Sequence, residues 1–248
     1  MKKIPLSLCC FICLCCSVQA IDLGGLDSIG PVSGYTSTRT GVVFSCSDGS
    51  QVQVSVLAPD LVRVRASYRK AFPKRDHSWA IDKTDWMTPD WSVTQAPDSI
   101  VITTSELQVV VRRSLFLVEF RDAKTGKTIN ADAQPMMFDP KSDRIAAAKK
   151  LGFEEHFYGL GEKAARLDKR RGHFQMWNSD TPAYKEGTDP IYQAIPFYTG
   201  WQGGEAYGIF FDNSYRTYFD LGQSSQEYVA FAADGGEMNY YFFWGPSM

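Results

Sequence analysis

Hydrophobic and polar residues alternate along much of the chain from Gly41 onward. In the run Gln51–Val56 every second residue is a valine, and Leu61–Arg65 repeats the alternation after a turn at Pro59 and Asp60. A period of two places apolar side chains on one face of a β-strand and polar side chains on the other. The pattern therefore predicts a series of half-buried strands.

The same pattern returns in the second half of the chain. The last predicted strand, Met238–Trp244, carries Met, Tyr, Phe and Trp on one face. The stretch Asp143–Leu151 is ambiguous because its alanines favour a helix, but it is short and uncapped, and a strand is the preferred interpretation. The other predicted strands are two within Ser99–Arg112, and one each in Leu115–Arg121, His173–Trp177, Ala206–Phe211, Tyr215–Phe219 and Glu227–Ala232.

About a dozen short strands with almost no helical segment predict an all-β fold, a large antiparallel β-sandwich. Residues 39–248 are assigned to this sandwich. The region 68–98 is predicted to be a long loop-like insertion, because its strand pattern is weak. Residues 21–38, rich in Gly, Ser and Thr, are predicted to be a leader or a loosely docked segment.

The first twenty residues have the features of a secretory signal peptide. Lys2 and Lys3 precede an apolar run, Ile4–Cys16, and small residues lead to a predicted cleavage site after Ala20. The run is too short to cross a bilayer, which takes about 20 residues. The chain is therefore expected to be exported to the periplasm or the medium, with an uncleaved anchor as the alternative and no other membrane segment.

Composition narrows the possible functions. The chain has 16 Phe, 12 Tyr and 6 Trp, which is enough apolar area for a packed core. A formal net charge of −2, without a basic patch, argues against a nucleic-acid partner. Only Cys46 lies outside the first twenty residues, so no internal disulfide is expected, and Cys46 is interpreted as a buried small hydrophobe. No metal-ligand or phosphate-loop spacing is found, and neither a metal nor a cofactor is expected.

Four runs between residues 157 and 213 resemble the N-terminal domain of glycoside hydrolase family 31. In chain order they are Phe-Tyr-Gly-Leu-Gly-Glu from Phe157, Met-Trp-Asn-Ser-Asp-Thr-Pro-Ala-Tyr from Met176, Asp-Pro-Ile-Tyr-Gln-Ala-Ile-Pro-Phe from Asp189, and Tyr-Gly-Ile-Phe-Phe-Asp-Asn from Tyr207. The end of the chain, from Tyr240, is similar to the last strand of that domain. Within the family, the second and third runs are closer to α-glucosidases than to α-xylosidases.

The resemblance implies a galactose-mutarotase-like sandwich followed by a catalytic (β/α)₈ barrel, in cis or in trans. In this family a nucleophile and an acid/base aspartate lie on the barrel, so no catalytic residue is expected in this chain, and whether the chain by itself is an enzyme stays open. The implied activity is that of an exported, retaining α-glucosidase-type hydrolase acting on α-glucoside oligosaccharides.

The resemblance also implies a substrate contact from this domain. The relatives have an Asn-x-Asp-Thr segment that lines the subsite beyond the cleaved bond, and Asn178, Asp180 and Thr181 match it. Asp180 is the candidate for accepting hydrogen bonds from a sugar hydroxyl, with Trp177 supplying an apolar face. The alternative is that Asn178 and Asp180 only cap a turn. Glu162 is interpreted as structural, and Gly159 and Gly161 as permitting a tight backbone path.

Two other functions are considered. A mutarotase would need a general acid and base in one cleft, and the only histidines, His77, His156 and His173, each have a structural explanation. A non-catalytic carbohydrate-binding or interaction module is the stronger alternative. Its sugar-stacking rings would be Trp79, Trp86 and Trp91, which are equally well explained as core or domain-interface residues.

Overall fold

The chain folds into two stacked antiparallel β-sheets. The computed structural model describes residues 21–73, 76–83, 85–245 and 247, and these residues contain eighteen strands and no α-helix. The predicted signal peptide, residues 1–20, lies outside the described residues. In the described part, no helix is long and apolar enough to cross a membrane. The prediction of an all-β sandwich is therefore confirmed.

The strands are defined by the following bounds. They are β1 (Asp27–Ser28), β2 (Val32–Ser37), β3 (Gly41–Cys46), β4 (Gln51–Ala58), β5 (Leu61–Ser67), β6 (Ser92–Gln95), β7 (Ser99–Thr103), β8 (Leu107–Arg112), β9 (Leu117–Asp122), β10 (Thr128–Phe138), β11 (Ile145–Lys150), β12 (His156–Gly161), β13 (His173–Met176), β14 (Ala194–Gln202), β15 (Glu205–Phe211), β16 (Thr217–Asp220), β17 (Tyr228–Ala233) and β18 (Met238–Trp244).

The strands form sheet A, with ten members, and sheet B, with eight. Sheet A runs β13-β16-β17-β11-β10-β9-β8-β7-β6, and β1 pairs with β10 beside this path. Sheet B runs β12-β14-β15-β18-β5-β4-β3-β2. Between β12 and β18 the chain crosses from one sheet to the other four times, and β13 of sheet A is followed directly by β14 of sheet B. The connection between these two strands carries the predicted site.

Aromatic residues from both sheets fill the space between them. Phe120 of β9 stacks on Phe242 of β18 with ring centroids 3.9 Å apart and planes 5° from parallel. Phe231 of β17 meets Tyr240 of β18 edge to face at 5.6 Å. Burying each of these side chains contributes about 1.5–3 kcal/mol. The face of β18 predicted from period two, which also carries Met238 and Trp244, is buried in this core.

Three predictions differ from the structure. Residues 21–38 are not loosely docked: β1 pairs with β10 and β2 pairs with β3, and Ile21, Ile29 and Val32 are buried. The reason is that a few apolar side chains among Gly and Ser suffice for an edge strand. Within the region 68–98, residues 92–95 form β6. Strands β12 and β14 were not predicted, because glycines and a proline interrupt their alternation.

Two other details agree with the sequence analysis. Residues 145–150 of the ambiguous stretch form strand β11. Cys46 is buried, and this burial, followed by the Asp48 charge, raises the pKa of its thiol to about 12. Such a thiol is neutral at physiological pH and is not a nucleophile.

A buried ion pair lies in the core. Lys149 of β11 is fully buried, and its Nζ is 2.6 Å from Asp132 Oδ1. It also donates to the hydroxyl of Tyr240 at 2.9 Å, while the amide of Val118 donates to Asp132 Oδ2 at 2.7 Å. Burial lowers the pKa of Lys149 against the opposing attraction of Asp132. Each partner is thus paired and hydrogen-bonded, as buried charges must be.

Candidate functional site

All four predicted site residues lie on one connection, the 177–193 loop, which joins the end of β13 to the start of β14. Because β13 belongs to sheet A and β14 to sheet B, this loop passes from one sheet to the other at the rim of the sandwich. A loop on a rigid scaffold is the usual place for residues that contact a ligand.

Strand β12 approaches the end of this loop closely. Gly161 has φ = 74°, and a Cβ there would lie 2.6 Å from the carbonyl oxygen of Gln193, just before β14. Gly159 has φ = 114°, and its Cβ would lie 2.6 Å from the carbonyl oxygen of Phe197. The predicted tight backbone path is confirmed at both glycines. The amide of Glu162 then donates to Gln193 O at 2.9 Å, which ties the backbone after β12 to the loop.

Asn178 and Thr181 hold the loop together. The Oδ1 atom of Asn178 accepts a hydrogen bond of 2.8 Å from the amide of Ala194, so one end of the loop is fastened to the other. The hydroxyl of Thr181 donates to the carbonyl oxygen of Pro190 at 3.3 Å, and its own carbonyl accepts from the hydroxyl of Tyr192 at 2.8 Å. Asn178 Oδ1 and the hydroxyl and carbonyl groups of Thr181 therefore have a structural role, which is to hold the loop in shape.

Asp180 differs from these two residues. It is exposed, and among the described residues no hydrogen bond or ion pair engages its carboxylate. Partial desolvation, together with the nearby charge of Asp180, raises the pKa of the Tyr192 hydroxyl. The Asp180 carboxylate is thus held on an ordered loop with its acceptor sites free for a ligand.

Trp177 begins the loop with its ring partly open to solvent. Its side chain is 46% exposed, and the guanidinium of Arg216 lies 4.7 Å from the ring centroid. A cation over an indole face orients the ring. Trp177 and Asp180 are therefore both exposed on the same loop, and the hydrogen bond of Asn178 holds the backbone between them.

A buried ion pair that the sequence analysis did not identify fastens the base of the loop. Lys163 Nζ is 2.6 Å from Asp189 Oδ1 and donates to the carbonyl oxygen of Gln175 at the same distance. The two charged side chains are 1% and 7% exposed. Burial lowers the pKa of Lys163 against the raising effect of Asp189. Asp189 lies in one of the motif runs, but only the fold reveals Lys163, 26 residues away, as its partner.

The histidines do not converge on a cleft. His173 is 8% exposed within β13. His156 lies on β12 in the other sheet, where its Nδ1 is 2.7 Å from Asp168 Oδ2. His77 is exposed on the 68–91 segment, 5.0 Å from Trp79 in an edge-to-face contact. In the described part of the chain, no group of three or more His, Cys, Asp or Glu side chains is arranged to hold a metal ion.

The fold and the loop together define a galactose-mutarotase-like sandwich with a fastened rim loop. Residues 51–220 match the family model of the glycosyl hydrolase 31 N-terminal galactose mutarotase-like domain. The chain belongs to glycoside hydrolase family 31, of which it represents an N-terminal part.

Relatives agree with this assignment. The chain is 32% identical over 223 residues to alpha-glucosidase 2 of Bacillus thermoamyloliquefaciens, covering 88% of this chain and 27% of the relative. It is 32% identical over 109 residues to an alpha-xylosidase of Lactiplantibacillus pentosus, covering 44% of this chain and 14% of the relative. A family 31 dextranase of Flavobacterium johnsoniae, solved with isomaltotriose, superposes with a TM-score of 0.82 at 33% identity, covering 88% of this chain and 27% of the dextranase.

The coverage is asymmetric. The chain spans about a quarter of the length of the alpha-glucosidase and of the dextranase. The present chain corresponds only to an N-terminal part of these relatives.

Proposed function

We propose that this chain is the substrate-site-supporting domain of an exported, retaining α-glucosidase-type glycoside hydrolase. The observation that carries the proposal is the exposed, unengaged carboxylate of Asp180 on a loop fastened at its base. Support comes from two relatives at 32% and 33% identity, an alpha-glucosidase and a dextranase.

The division of labour follows from the chemistry of retaining hydrolysis. That reaction needs two carboxyl groups about 5–5.5 Å apart across the scissile bond. Barrel enzymes build such sites at the C-terminal face of the barrel strands. We place the nucleophile and the acid/base on a barrel that joins this chain in cis or in trans. No residue of the chain itself is assigned to bond cleavage.

The contribution of this chain is to bind and orient the leaving sugar. Asp180 accepts hydrogen bonds from hydroxyl groups of the sugar beyond the cleaved bond, and Trp177 offers its ring to an apolar sugar face. A hydrogen bond to a charged group contributes about 1.5–3 kcal/mol. Asn178 and Thr181 act indirectly, by holding the loop that presents Asp180. Since the relatives include an alpha-xylosidase as well as alpha-glucosidases, the choice of α-glucosides is part of the proposal.

Hydrolysis assays with two substrates test this function. The purified chain alone should not hydrolyse p-nitrophenyl α-glucoside, and robust turnover would place catalysis in this domain and contradict the proposal. In the complete protein, with its barrel, Asp180→Asn should lower kcat/KM for isomaltose about tenfold or more. Hydrolysis of p-nitrophenyl α-glucoside should change little, because its leaving group has no sugar hydroxyls.

Asp143→Asn is the matched control, since Asp143 is an exposed aspartate outside the 177–193 loop. This variant should hydrolyse both substrates as fast as the unmodified protein does. An Asp180→Asn variant that loses both activities equally, or neither, would contradict the assigned role. Export is tested separately by sequencing the N-terminus of the protein recovered outside the cytoplasm, which should begin at Ile21.

A further inference from the structure

A groove of about 700 Å³ opens at the rim of the sandwich beside the 177–193 loop. Its walls come from both sheets: Met176 and Thr217 lie on β13 and β16 of sheet A, and Ala194 and Phe210 lie on β14 and β15 of sheet B. Small-molecule sites in proteins have volumes of about 300–1,000 Å³. The groove is therefore large enough for two or three sugar units, and it is called the rim groove below.

Three aromatic residues with unusual exposure border the rim groove. Trp79 is 86% exposed, Tyr215 is 56% exposed and Trp177 is 46% exposed. Large rings that gather around one concavity and remain open to water mark a binding surface. Each also offers a flat apolar face next to a polar group, which suits a partner that is apolar on its faces and polar around its edge.

The position of Tyr215 is set by its neighbours. Its ring lies against the turn at Gly235 and Gly236, where an added Cβ would approach the ring to 2.9 Å and 3.0 Å. Its amide donates to Asn213 Oδ1 at 2.8 Å, and Asn213 Nδ2 donates in turn to the carbonyl oxygen of Gly235 at 2.9 Å. The ring therefore has little freedom to lose when a ligand binds, and pre-organisation of this kind strengthens binding.

The polar groups of the rim groove favour an uncharged partner. The one carboxylate among the described residues that line it, that of Asp212, already accepts hydrogen bonds from Ser78 Oγ at 2.9 Å and from Asn239 Nδ2 at 3.2 Å. The hydroxyl of Thr217 is buried and has no hydrogen-bond partner among the described residues. A buried hydroxyl without a partner is unfavourable, and a hydrogen bond from a ligand hydroxyl at this wall would relieve it.

We propose that the rim groove binds a segment of an α-linked glucose oligosaccharide. A pyranose ring carries C–H groups on its faces, which stack on Trp79 and Tyr215, and hydroxyls around its edge, which meet the polar wall. Trp177 and Asn178 border the groove and also belong to the Asp180 loop, so an oligosaccharide that reaches Asp180 continues into the groove. The choice of an α-glucoside rests on the proposed function. If the groove binds such a segment, the protein should bind longer oligosaccharides more tightly than disaccharides.

Binding to the purified chain tests the rim groove without any barrel. Isomaltotriose should bind saturably in isothermal titration calorimetry, with a Kd near or below about 1 mM, and its protons should show saturation transfer in NMR. Glucose should bind more weakly, because it can cover only one ring. Trp79→Ala and Tyr215→Ala should each raise the Kd about tenfold or more.

Phe153→Ala is the matched control, because Phe153 is 84% exposed and does not line the groove. It should bind isomaltotriose like the unmodified chain. Absence of saturable binding up to about 20 mM would overturn the proposal. So would an equal loss in Phe153→Ala and Trp79→Ala, or binding that Trp79→Ala and Tyr215→Ala leave intact. Absence of binding would indicate instead that the exposed rings serve to pack against another protein domain.

The two proposals fail separately. The function of Asp180 is measured by turnover of the complete protein on isomaltose, whereas the rim groove is measured by binding to this chain alone. Loss of isomaltotriose binding with an intact Asp180 effect would refute only the groove. Binding at the groove without any Asp180 effect would refute only the role of the loop.

Discussion

Removing the charge of Lys163 should release the loop that carries Asp180. Lys163 Nζ bonds to Asp189 Oδ1 and to Gln175 O, each at 2.6 Å, and thereby ties the end of the loop to β13. In Lys163→Met the side chain keeps an unbranched apolar stem, one atom shorter, but loses all its donors. Asp189 is then left as a buried carboxylate whose remaining bond is from the amide of Gln175.

The size of the effect follows from the burial of the pair. The side chains of Lys163 and Asp189 are 1% and 7% exposed, so water cannot replace the lost partner without opening the loop. Breaking one side of a buried ion pair costs about 3–5 kcal/mol. For a domain of this size, that loss corresponds to a decrease in Tm of roughly 6–20 °C. Lys163→Met/Asp189→Asn should be less destabilised than Lys163→Met, because no unpaired charge stays buried.

Thermal unfolding followed by circular dichroism measures the stability, and hydrogen exchange of the Ala194 amide measures the opening of the loop. Lys127→Met is the matched control, since the Lys127–Glu205 pair is 57% and 37% exposed and should contribute at most about 1 kcal/mol. If Lys163→Met behaves like Lys127→Met, or if the double variant is less stable than Lys163→Met, the clamp does not hold the loop as argued.

Three further predictions concern the sandwich itself. Burial raises the pKa of Asp220, but His173 and the donors of the turn after β16 outweigh it and lower the pKa to about 2. About 2 kcal/mol of stability should therefore be present above the ordinary aspartate pKa of about 3.9 and be lost as the pH falls toward 2. Acid unfolding of Asp220→Asn should lack that slope, and an unchanged slope would contradict the argument. Cys46, with its pKa of about 12, should resist iodoacetamide at about pH 8 until the chain is unfolded, and rapid labelling of native protein would show that the thiol is accessible. In a urea titration, Gly159→Ala should lower the free energy of unfolding by about 1–3 kcal/mol because of its φ of 114° and the contact of the new Cβ with the carbonyl of Phe197. Gly34→Ala, whose new Cβ would meet no atom within 4 Å, should be close to neutral in the same titration, and equal losses in the two variants would contradict the argument.

The strands that the sequence predicts best are those with one buried face. In β4 the alternation of valine with polar residues reflects a strand whose core-facing side chains are valines, and the inward face is predicted correctly. The inward face of β18 is also predicted correctly, although its opposite face is largely covered as well. Strands β12 and β14 lie near the rim and contain Gly159, Gly161, Gly200 and Pro196. Their place in the sheet depends on pairing with each other and with β15, which local pattern does not express.

The candidate site divides in a similar way. The segment with Asn178 and Asp180 was identified in the sequence through its resemblance to the Asn-x-Asp-Thr segment of the family 31 relatives. The fold decides which polar groups of the segment remain free for a ligand. Asn178 Oδ1 accepts a hydrogen bond from the amide of Ala194, whereas the carboxylate of Asp180 has no hydrogen-bond partner among the described residues. This difference depends on hydrogen bonds between residues that are distant along the chain, and local sequence patterns do not predict such bonds.

By itself, the sequence determined the fold class, the family and the position of the loop, because residue alternation and motif order are local properties of the chain. The tertiary structure alone decided which charges are buried. Lys149 and Lys163 look like ordinary surface lysines in the sequence, yet each is enclosed and paired with an aspartate 17 and 26 residues away. Burial depends on what the other strands and loops cover, and an ion pair depends on two segments meeting in space.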